Sequence, residues 1–240
     1  MAELLDQSTR DRYLTVLHHV EAACERSGRN PNTVTVIAVT KTFPIETVSK
    51  AYALGLRHVG ESRVQETIEK FGDGELLAEL PGLTVHLVGH LQSNKVRKAV
   101  QLAASIDSVD SIALAQSIDR AGESLGRHPR ILLEVNTSGE TQKYGINPDD
   151  VAATVSALLP LPNVDLAGLM TVGPNVSDEP IVRRSFRLLR EVFDDVLINV
   201  RPPHWSVLSM GMSGDYALAV EEGATEIRLG TALFGQRSAL

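Results

Sequence analysis

Residues 34–44 read Val-Thr-Val-Ile-Ala-Val-Thr-Lys-Thr-Phe-Pro, an uncharged run of β-branched and apolar side chains that ends on one lysine, Lys41. Such a run is typical of a strand buried on both faces, as in a parallel sheet covered by helices. The lysine breaks this pattern, because burying an ammonium group is costly unless it reaches the edge of the sheet or does chemistry there. Lys41 is therefore our candidate for the functional centre.

Eight short β-type runs, beginning with this strand, alternate with helical patterns along the chain. They cover residues 34–40, 57–60, 84–88, 106–109, 131–136, 164–171, 205–210 and 226–229. This alternation predicts βαβ units and a parallel sheet, hence the α/β class. Eight strands favour a closed (β/α)8 TIM barrel, although their number does not exclude an open doubly wound sheet. A helix over residues 7–27 precedes the repeat, and no linker-like stretch interrupts residues 1–240, so we expect a single domain.

Composition and charge limit the kinds of partner and the location that we expect for this protein. The formal charge is −7, from 23 basic and 30 acidic side chains, which gives nucleic acid no general attraction. No apolar run approaches the roughly 18 residues of a membrane helix, and the polar N-terminus does not resemble a signal peptide. The one cysteine, Cys24, lies on the apolar stripe of the first helix and is interpreted as buried filler. A cytoplasmic location, no membrane association and a monomeric state are expected.

Strand periodicity predicts which side chains face the inside of the barrel. Alternate residues of a strand point to opposite faces, so the apolar sets of strands five and eight should lie under the helices. The polar side chains between them should then face inward, and these are Glu134, Asn136, Glu226 and Arg228. Barrel interiors are usually filled by bulky branched side chains, so inward polar groups indicate a polar site at one mouth.

Small residues follow the last two strands, where barrels often hold a phosphate. Residues 208–215 read LSMGMSGD, and residues 228–235 read RLGTALFG. Glycines let the backbone approach an anion, and hydroxyls donate hydrogen bonds to its oxygens. Ordinary βα turns contain the same residue types, so each loop alone leaves both interpretations open. Two such loops opposite a single lysine favour a phosphate site.

An amine and a phosphate site at one barrel mouth suit a ligand with an aldehyde and a phosphate. Pyridoxal 5′-phosphate (PLP) and a phosphorylated sugar both meet this description. Lys41 would form the Schiff base, for which a desolvated site near cations lowers the pKa of its amine. Arg228 could face the pyridine nitrogen of PLP, where a cation weakens the ring as an electron sink.

Several segments in this order resemble the pyridoxal phosphate homeostasis protein family, whose fold looks like the barrel domain of alanine racemase. The segments are AVTKTFP at 38–44, VGESRVQE at 59–66, HLVGHLQSNK at 86–95, VNTSGETQKYG at 135–145, GLMTVGP at 168–174 and the long block at 208–235. The resemblance covers essentially the whole chain. It implies a protein that binds PLP and buffers or delivers it in vitamin B6 and amino-acid homeostasis, with PLP-dependent apoenzymes as its partners.

The resemblance also implies a role for individual residues. Lys41 would carry the Schiff base and Arg228 would face the pyridine nitrogen. Ser209, Gly230 and Thr231 would hold the phosphate. Ser62 stands where family members usually carry asparagine, and it is a further candidate for cofactor contact. Lys143 resembles a lysine that the family keeps near the site, and it is a candidate for accepting the cofactor during transfer.

Catalysis and metal binding have weaker support in the sequence. His86 and His90 show no third ligand for a metal, so no metal is assigned. Racemases that resemble this barrel take a second acid or base, a tyrosine, from an additional β domain, and the chain ends at Leu240, just past strand eight. We therefore expect no catalytic residue and a carrier of PLP. The alternatives are a PLP-dependent amino-acid racemase and a Schiff-base aldolase acting on a phosphorylated sugar.

Overall fold

The computed structural model of the chain describes residues 7–140 and 142–236, and its centre is a closed barrel of eight parallel strands. Each strand pairs with the next one along the chain, and the eighth pairs with the first. The strands are β1 (Thr35–Val39), β2 (His58–Glu61), β3 (Thr84–Leu87), β4 (Ser105–Val109), β5 (Arg130–Glu134), β6 (Asp165–Met170), β7 (Val207–Ser209) and β8 (Glu226–Leu229). The predicted barrel is confirmed, because each predicted run contains or overlaps one of these strands.

Helices surround the barrel and occupy the connections between strands. They are α1 (Gln7–Ser27), α2 (Glu46–Ala53), α3 (Val64–Phe71), α4 (Glu75–Glu79), α5 (Val96–Leu102), α6 (Ile112–Leu125), α7 (Val151–Leu158), α8 (Glu179–Asn199), α9 (Tyr216–Glu221) and α10 (Thr231–Phe234). The predicted N-terminal helix is confirmed as α1, which ends before Gly28 in the left-handed region at φ 66°. Cys24 on this helix is fully buried. None of the helices in the described ranges is both long and apolar enough to cross a membrane.

Alternation along the strands separates an outer apolar core from the barrel interior. Ile131 and Leu133 of β5, and Ile227 and Leu229 of β8, are fully buried in the outer core. Polar residues on the opposite faces of these two strands make contacts across the barrel. Arg130 at the start of β5 forms an ion pair with Glu226 of β8, at 2.6 Å between Nη1 and Oε1.

Asn136 does not lie inside the barrel as predicted, because β5 ends at Glu134. Its side-chain amide instead donates to the backbone oxygen of Glu140, at 2.8 Å, within the loop that follows β5. Its oxygen accepts a hydrogen bond from the hydroxyl of Ser138. These local hydrogen bonds shape the loop in the way that asparagine commonly does outside regular structure.

Candidate functional site

A cavity of about 380 Å³ lies at the carboxyl ends of the strands. The barrel brings together the residues that line it, which come from β1 and β8 and from six connections, those after β1, β2, β3, β6, β7 and β8. The lining residues are Val39, Lys41, Phe43, Ser62, Val88, Gly89, Val172, Met212, Ser213, Gly214, Arg228, Gly230 and Thr231.

Lys41 lies two residues beyond the end of β1, in a turn, and is half-buried. Closure of the barrel places β8 beside β1, with Ala38 opposite Leu229, so that the residues after β8 adjoin this turn. The ring of Phe43 packs on Phe234 of α10, with 5.4 Å between ring centroids. The strand pairing and the ring contact hold the Lys41 turn against the loop after β8.

Ser213 joins the loops that follow β7 and β8. Its Oγ accepts hydrogen bonds from the backbone N–H groups of Gly230 and Ala232, at 3.2 and 3.1 Å. A serine hydroxyl has two acceptor positions and one donor hydrogen, so this hydroxyl is oriented to donate. The residues predicted to hold the phosphate, Ser209, Gly230 and Thr231, do not include Ser213. The sequence did contain a signal for Ser213, which lies between Gly211 and Gly214 in the loop after β7.

Glycines on these loops border open space. A Cβ added to Gly214 would meet no protein atom within 4 Å, and one added to Gly230 would come no closer than 3.4 Å, to the backbone oxygen of Val39. Both glycines line the cavity, and neither is required by packing against protein atoms. Small residues beside a donating hydroxyl and a buried arginine form a cradle that fits a compact anion.

Arg228 is almost fully buried, and its guanidinium is held in one orientation. Nη1 donates to Ser209 Oγ at 2.9 Å, and Nη2 donates to the backbone oxygen of Thr171 at 2.7 Å. Burial lowers the pKa of Arg228 from its ordinary value, while the surrounding carboxylates, including Glu134, oppose this shift. Ser209 itself is fully buried and does not line the cavity, so in this geometry it supports Arg228.

Glu134 ends β5 inside the barrel and is nine-tenths buried. The pKa of its carboxyl is raised from 4.5 to about 7. Burial is the largest cause, the cation of Arg228 opposes it, and the charge of Asp110 adds to it. A carboxyl whose pKa is raised in the folded protein contributes most to stability below its unfolded pKa, and this contribution is lost as the pH rises through the folded value.

The substitution Glu134→Gln should remove this pH dependence. As the pH rises from 4.5 to 8, the free energy of unfolding of the unsubstituted protein should fall by about 3 kcal/mol relative to that of the variant. Urea denaturation of both proteins at several pH values checks this expectation. Parallel pH profiles would show that Glu134 titrates normally.

The two remaining predicted residues differ in their placement. Ser62 lines the cavity, close to Gly89, where an added Cβ would lie 2.3 Å from the Ser62 backbone oxygen. Lys143 lies in the loop after β5 and does not line the cavity. Its Nζ is 2.6 Å from Glu140 Oε1 and 3.0 Å from the backbone oxygen of Gly173, so it ties this loop to the one after β6.

A second polar cluster lies inside the barrel at the start of the strands. In the described part of the chain, His86, Asp107 and Glu226 present ligand atoms within 4.8 Å of one another, a set that the sequence did not reveal. Arg130 already places a cation here, with Nη1 2.6 Å from Glu226 and Nη2 3.8 Å from Asp107. We therefore interpret the cluster as a buried ion-pair network.

His90 lies elsewhere, 3.2 Å from Asp110 and stacked on Tyr144.

Comparisons with known proteins agree on the family of this chain. A family profile described as "Alanine racemase, N-terminal domain" matches residues 15–238. The pyridoxal phosphate homeostasis protein of Aquifex aeolicus is 40% identical over 229 residues, which are 95% of this chain and 97% of that protein. The human protein of the same name is 36% identical over 211 residues, or 84% of this chain and 76% of the human protein.

Solved structures show the same fold. A protein of unknown function from Bifidobacterium adolescentis has a TM-score of 0.89 at 38% identity, covering 96% of this chain and 97% of its own. PipY of Synechococcus elongatus, solved with PLP bound, has a TM-score of 0.79 at 41% identity, covering 90% of this chain and 100% of its own. Alanine racemase of Clostridium difficile, at 16% identity and a TM-score of 0.72, shares the fold over 95% of this chain and 58% of its own.

Proposed function

This chain belongs to the pyridoxal phosphate homeostasis protein family, and from that premise we propose that it holds PLP as a Schiff base on Lys41 and buffers or delivers the cofactor in vitamin B6 and amino-acid homeostasis. One observation carries the proposal: Lys41, Arg228 and the small residues after β7 and β8 line a single cavity. An amine opposite an anion cradle matches the two reactive ends of PLP. PLP bound to the Synechococcus relative supports the choice of ligand.

The proposal gives each lining residue a chemical task. PLP, when bound, supplies an aldehyde that condenses with a neutral amine to form a carbon–nitrogen double bond, and the aldehyde oxygen leaves as water. Lys41 supplies the amine. Ser213 donates to the phosphate beside Gly230 and Thr231, and Ser62 lines the side of the cavity nearer Gly89.

Arg228 supports a carrier over a catalyst. Its guanidinium can donate a hydrogen bond to the pyridine nitrogen but cannot accept one, and its positive charge disfavours a second positive charge there, so the nitrogen would stay unprotonated. An unprotonated ring is a poor electron sink for chemistry on an amino acid. In our proposal the protein is therefore not an enzyme, and Ser209 and Thr171 serve to aim Arg228.

The alternative of an amino-acid racemase is favoured by one observation, the match to the alanine racemase profile. A direct test mixes the PLP-loaded protein with the apo form of a PLP-dependent enzyme, and separately with L-alanine. We expect recovery of activity in the acceptor and no racemisation above that of free PLP. Racemisation that exceeds this background and depends on Lys41 would favour the enzyme. A colourless protein that borohydride traps with a phosphorylated sugar would favour an aldolase.

Two serines distinguish the phosphate end of the site from the ring end. Ser213→Ala should weaken PLP binding about tenfold, the value of one hydrogen bond to a charged group, and leave the affinity for pyridoxal, which has no phosphate, unchanged. Ser209→Ala should affect both ligands equally, because it acts through Arg228. Equilibrium titrations of both variants with both ligands check this. The opposite pattern would assign the phosphate to Ser209.

Further parts of the proposal stay predictions. We predict that Lys143 accepts PLP during transfer. The substitution Lys143→Met should then slow delivery to an apoenzyme without changing the affinity for PLP. The loop position of Lys143 between Glu140 and Gly173 supports a role outside the cavity itself. PLP-dependent apoenzymes as partners, a monomeric state and a cytoplasmic location are likewise predictions.

A further inference from the structure

A buried ion cluster lies behind the turn that carries Lys41. The ammonium group of Lys70, on α3, donates to three oxygens: the backbone oxygen of Thr40 at 2.8 Å, Glu61 Oε1 at 2.9 Å and Glu66 Oε1 at 2.8 Å. Lys70 is 6% exposed and Glu61 is fully buried. An ammonium group has three donors, so these acceptors satisfy it completely.

The cluster holds the chain on both sides of Lys41. On one side, Thr40 gives its backbone oxygen to Lys70 and its hydroxyl donates to Glu61 Oε1 at 2.6 Å. On the other side, the backbone N–H of Thr42 donates to Glu66 Oε1. The residues immediately before and after Lys41 are therefore tied to one set of charges, which we call the Lys70 cluster (Lys70, Glu61 and Glu66).

Three energetic costs coincide at this place. Thr42 has a φ of 62°, which disfavours a β-branched residue, and in the described part of the chain Arg201 is the one other non-glycine residue with a positive φ. Lys70 loses its hydration on burial. Glu61 Oε2 is buried and has no hydrogen-bond partner among the described atoms. Costs that gather beside a functional residue indicate that its position is under constraint.

The Lys70 cluster acts from outside the cavity. None of its three residues lines the cavity, whose walls nearby are Lys41, Phe43 and Ser62. Gly60 of β2 faces Ile37 and Val39, so its neighbour Glu61 points to the opposite side of the strand, towards α3. The cluster therefore lies between the barrel wall and α3.

We propose that Lys70, together with Glu61 and Glu66, is a positioning group that fixes the Lys41 turn so that the lysine amine reaches the aldehyde of a bound phosphate ligand. This inference rests on the proposed function. It separates two steps of binding. The phosphate cradle belongs to the loops after β7 and β8, whereas the hydrogen bonds described for Lys70 go to the turn after β1, to β2 and to α3. Loss of the cluster should impair Schiff-base formation and leave phosphate capture intact.

Two ligands measure the steps separately. PLP uses both its aldehyde and its phosphate, whereas pyridoxine 5′-phosphate carries a hydroxymethyl group in place of the aldehyde and binds by its ring and phosphate alone. Lys70→Met should raise the Kd for PLP about tenfold or more and change the Kd for pyridoxine 5′-phosphate less than about twofold. Equal losses for both ligands, or no loss for either, would overturn the proposal.

Glu66 provides a matched pair of variants that keeps the test decisive if Lys70→Met does not fold. Glu66→Gln retains an oxygen that can accept from the Thr42 N–H and should bind PLP like the unsubstituted protein. Glu66→Ala removes that acceptor and should lose PLP affinity selectively. Val155→Ala, in the buried face of α7, controls for a general loss of stability and should change neither Kd.

The unsubstituted protein separates failure of this proposal from failure of the proposed function. If it binds PLP no better than pyridoxine 5′-phosphate and borohydride traps nothing, the Schiff base on Lys41 is wrong. If it prefers PLP and both Lys70→Met and Glu66→Ala keep that preference, the positioning role alone is wrong.

Discussion

Replacing Lys41 with methionine is expected to weaken PLP binding by about 100-fold or more. The substitution removes the amine and keeps an unbranched side chain that is one atom shorter, so the remaining affinity comes from the phosphate and ring contacts alone. The visible absorbance of the bound cofactor should disappear at the same time. Absorbance titration and equilibrium dialysis measure the two effects independently.

Lys98→Met is the matched control for this substitution. Lys98 is an exposed lysine on α5 that contacts Gln101, away from the cavity, and its removal should leave PLP binding unchanged. A Lys41→Met protein that kept its visible absorbance and was still trapped by borohydride would place the Schiff base elsewhere. Pyridoxine 5′-phosphate should bind Lys41→Met and the unsubstituted protein with similar affinity, which shows that the cavity is intact.

The substitution Arg130→Met should cost about 3–5 kcal/mol of unfolding free energy at pH 7. Arg130 is the cation of the buried cluster at the start of the strands, where it pairs with Glu226 and donates to Ser105 Oγ at 2.9 Å. Asp107 is fully buried nearby. Burial raises its pKa, but His86 and Arg130 outweigh this and hold it below its ordinary value. Methionine would leave Glu226 buried without this cation and Asp107 with His86 alone.

The pH dependence of this loss identifies its cause. Above the unfolded pKa of 3.8, a carboxyl whose folded pKa is depressed stabilises the protein. Without Arg130 the carboxylate of Asp107 loses one of the groups that lower its pKa and takes up a proton more readily, so the difference between the two proteins should shrink as the pH falls from 7 towards 5. Arg187→Met removes an exposed arginine paired with Glu222 and should change stability by no more than about 0.5 kcal/mol. A pH-independent loss for Arg130→Met would indicate lost packing instead.

The sequence predicted the barrel because its signals are local. The run before Lys41 is uncharged and β-branched, and alternation in β5 and β8 assigned Ile131 and Ile227 to the outer core and Arg228 to the interior. The number of strands favoured closure without excluding an open sheet, and the pairing of β8 with β1 decides it. The same alternation failed at Asn136, because periodicity does not show where a strand ends.

The details of the site depended on contacts between distant residues. Alternation placed Arg228 inside the barrel, but it did not show that Arg228 donates to the Ser209 hydroxyl or that Ser213 joins the two loops. The sequence did not predict the Lys70 cluster, because a lysine on an amphipathic helix is usually exposed. Only the packing of α3 on β1 and β2 shows that Lys70 is buried. The positive φ of Thr42 could not be predicted from the sequence, because threonine is a β-branched residue that disfavours the left-handed region.

The central claim is that Lys41 carries the cofactor, and peptide mapping tests it most directly. The PLP-loaded protein is reduced with borohydride, which converts the Schiff base to a stable amine, then digested and analysed by mass spectrometry. We predict one pyridoxyl phosphate adduct per chain, on the peptide that contains Lys41. An adduct on Lys143 or Lys70 in place of Lys41, or no adduct on a protein that retains PLP, would contradict the claim.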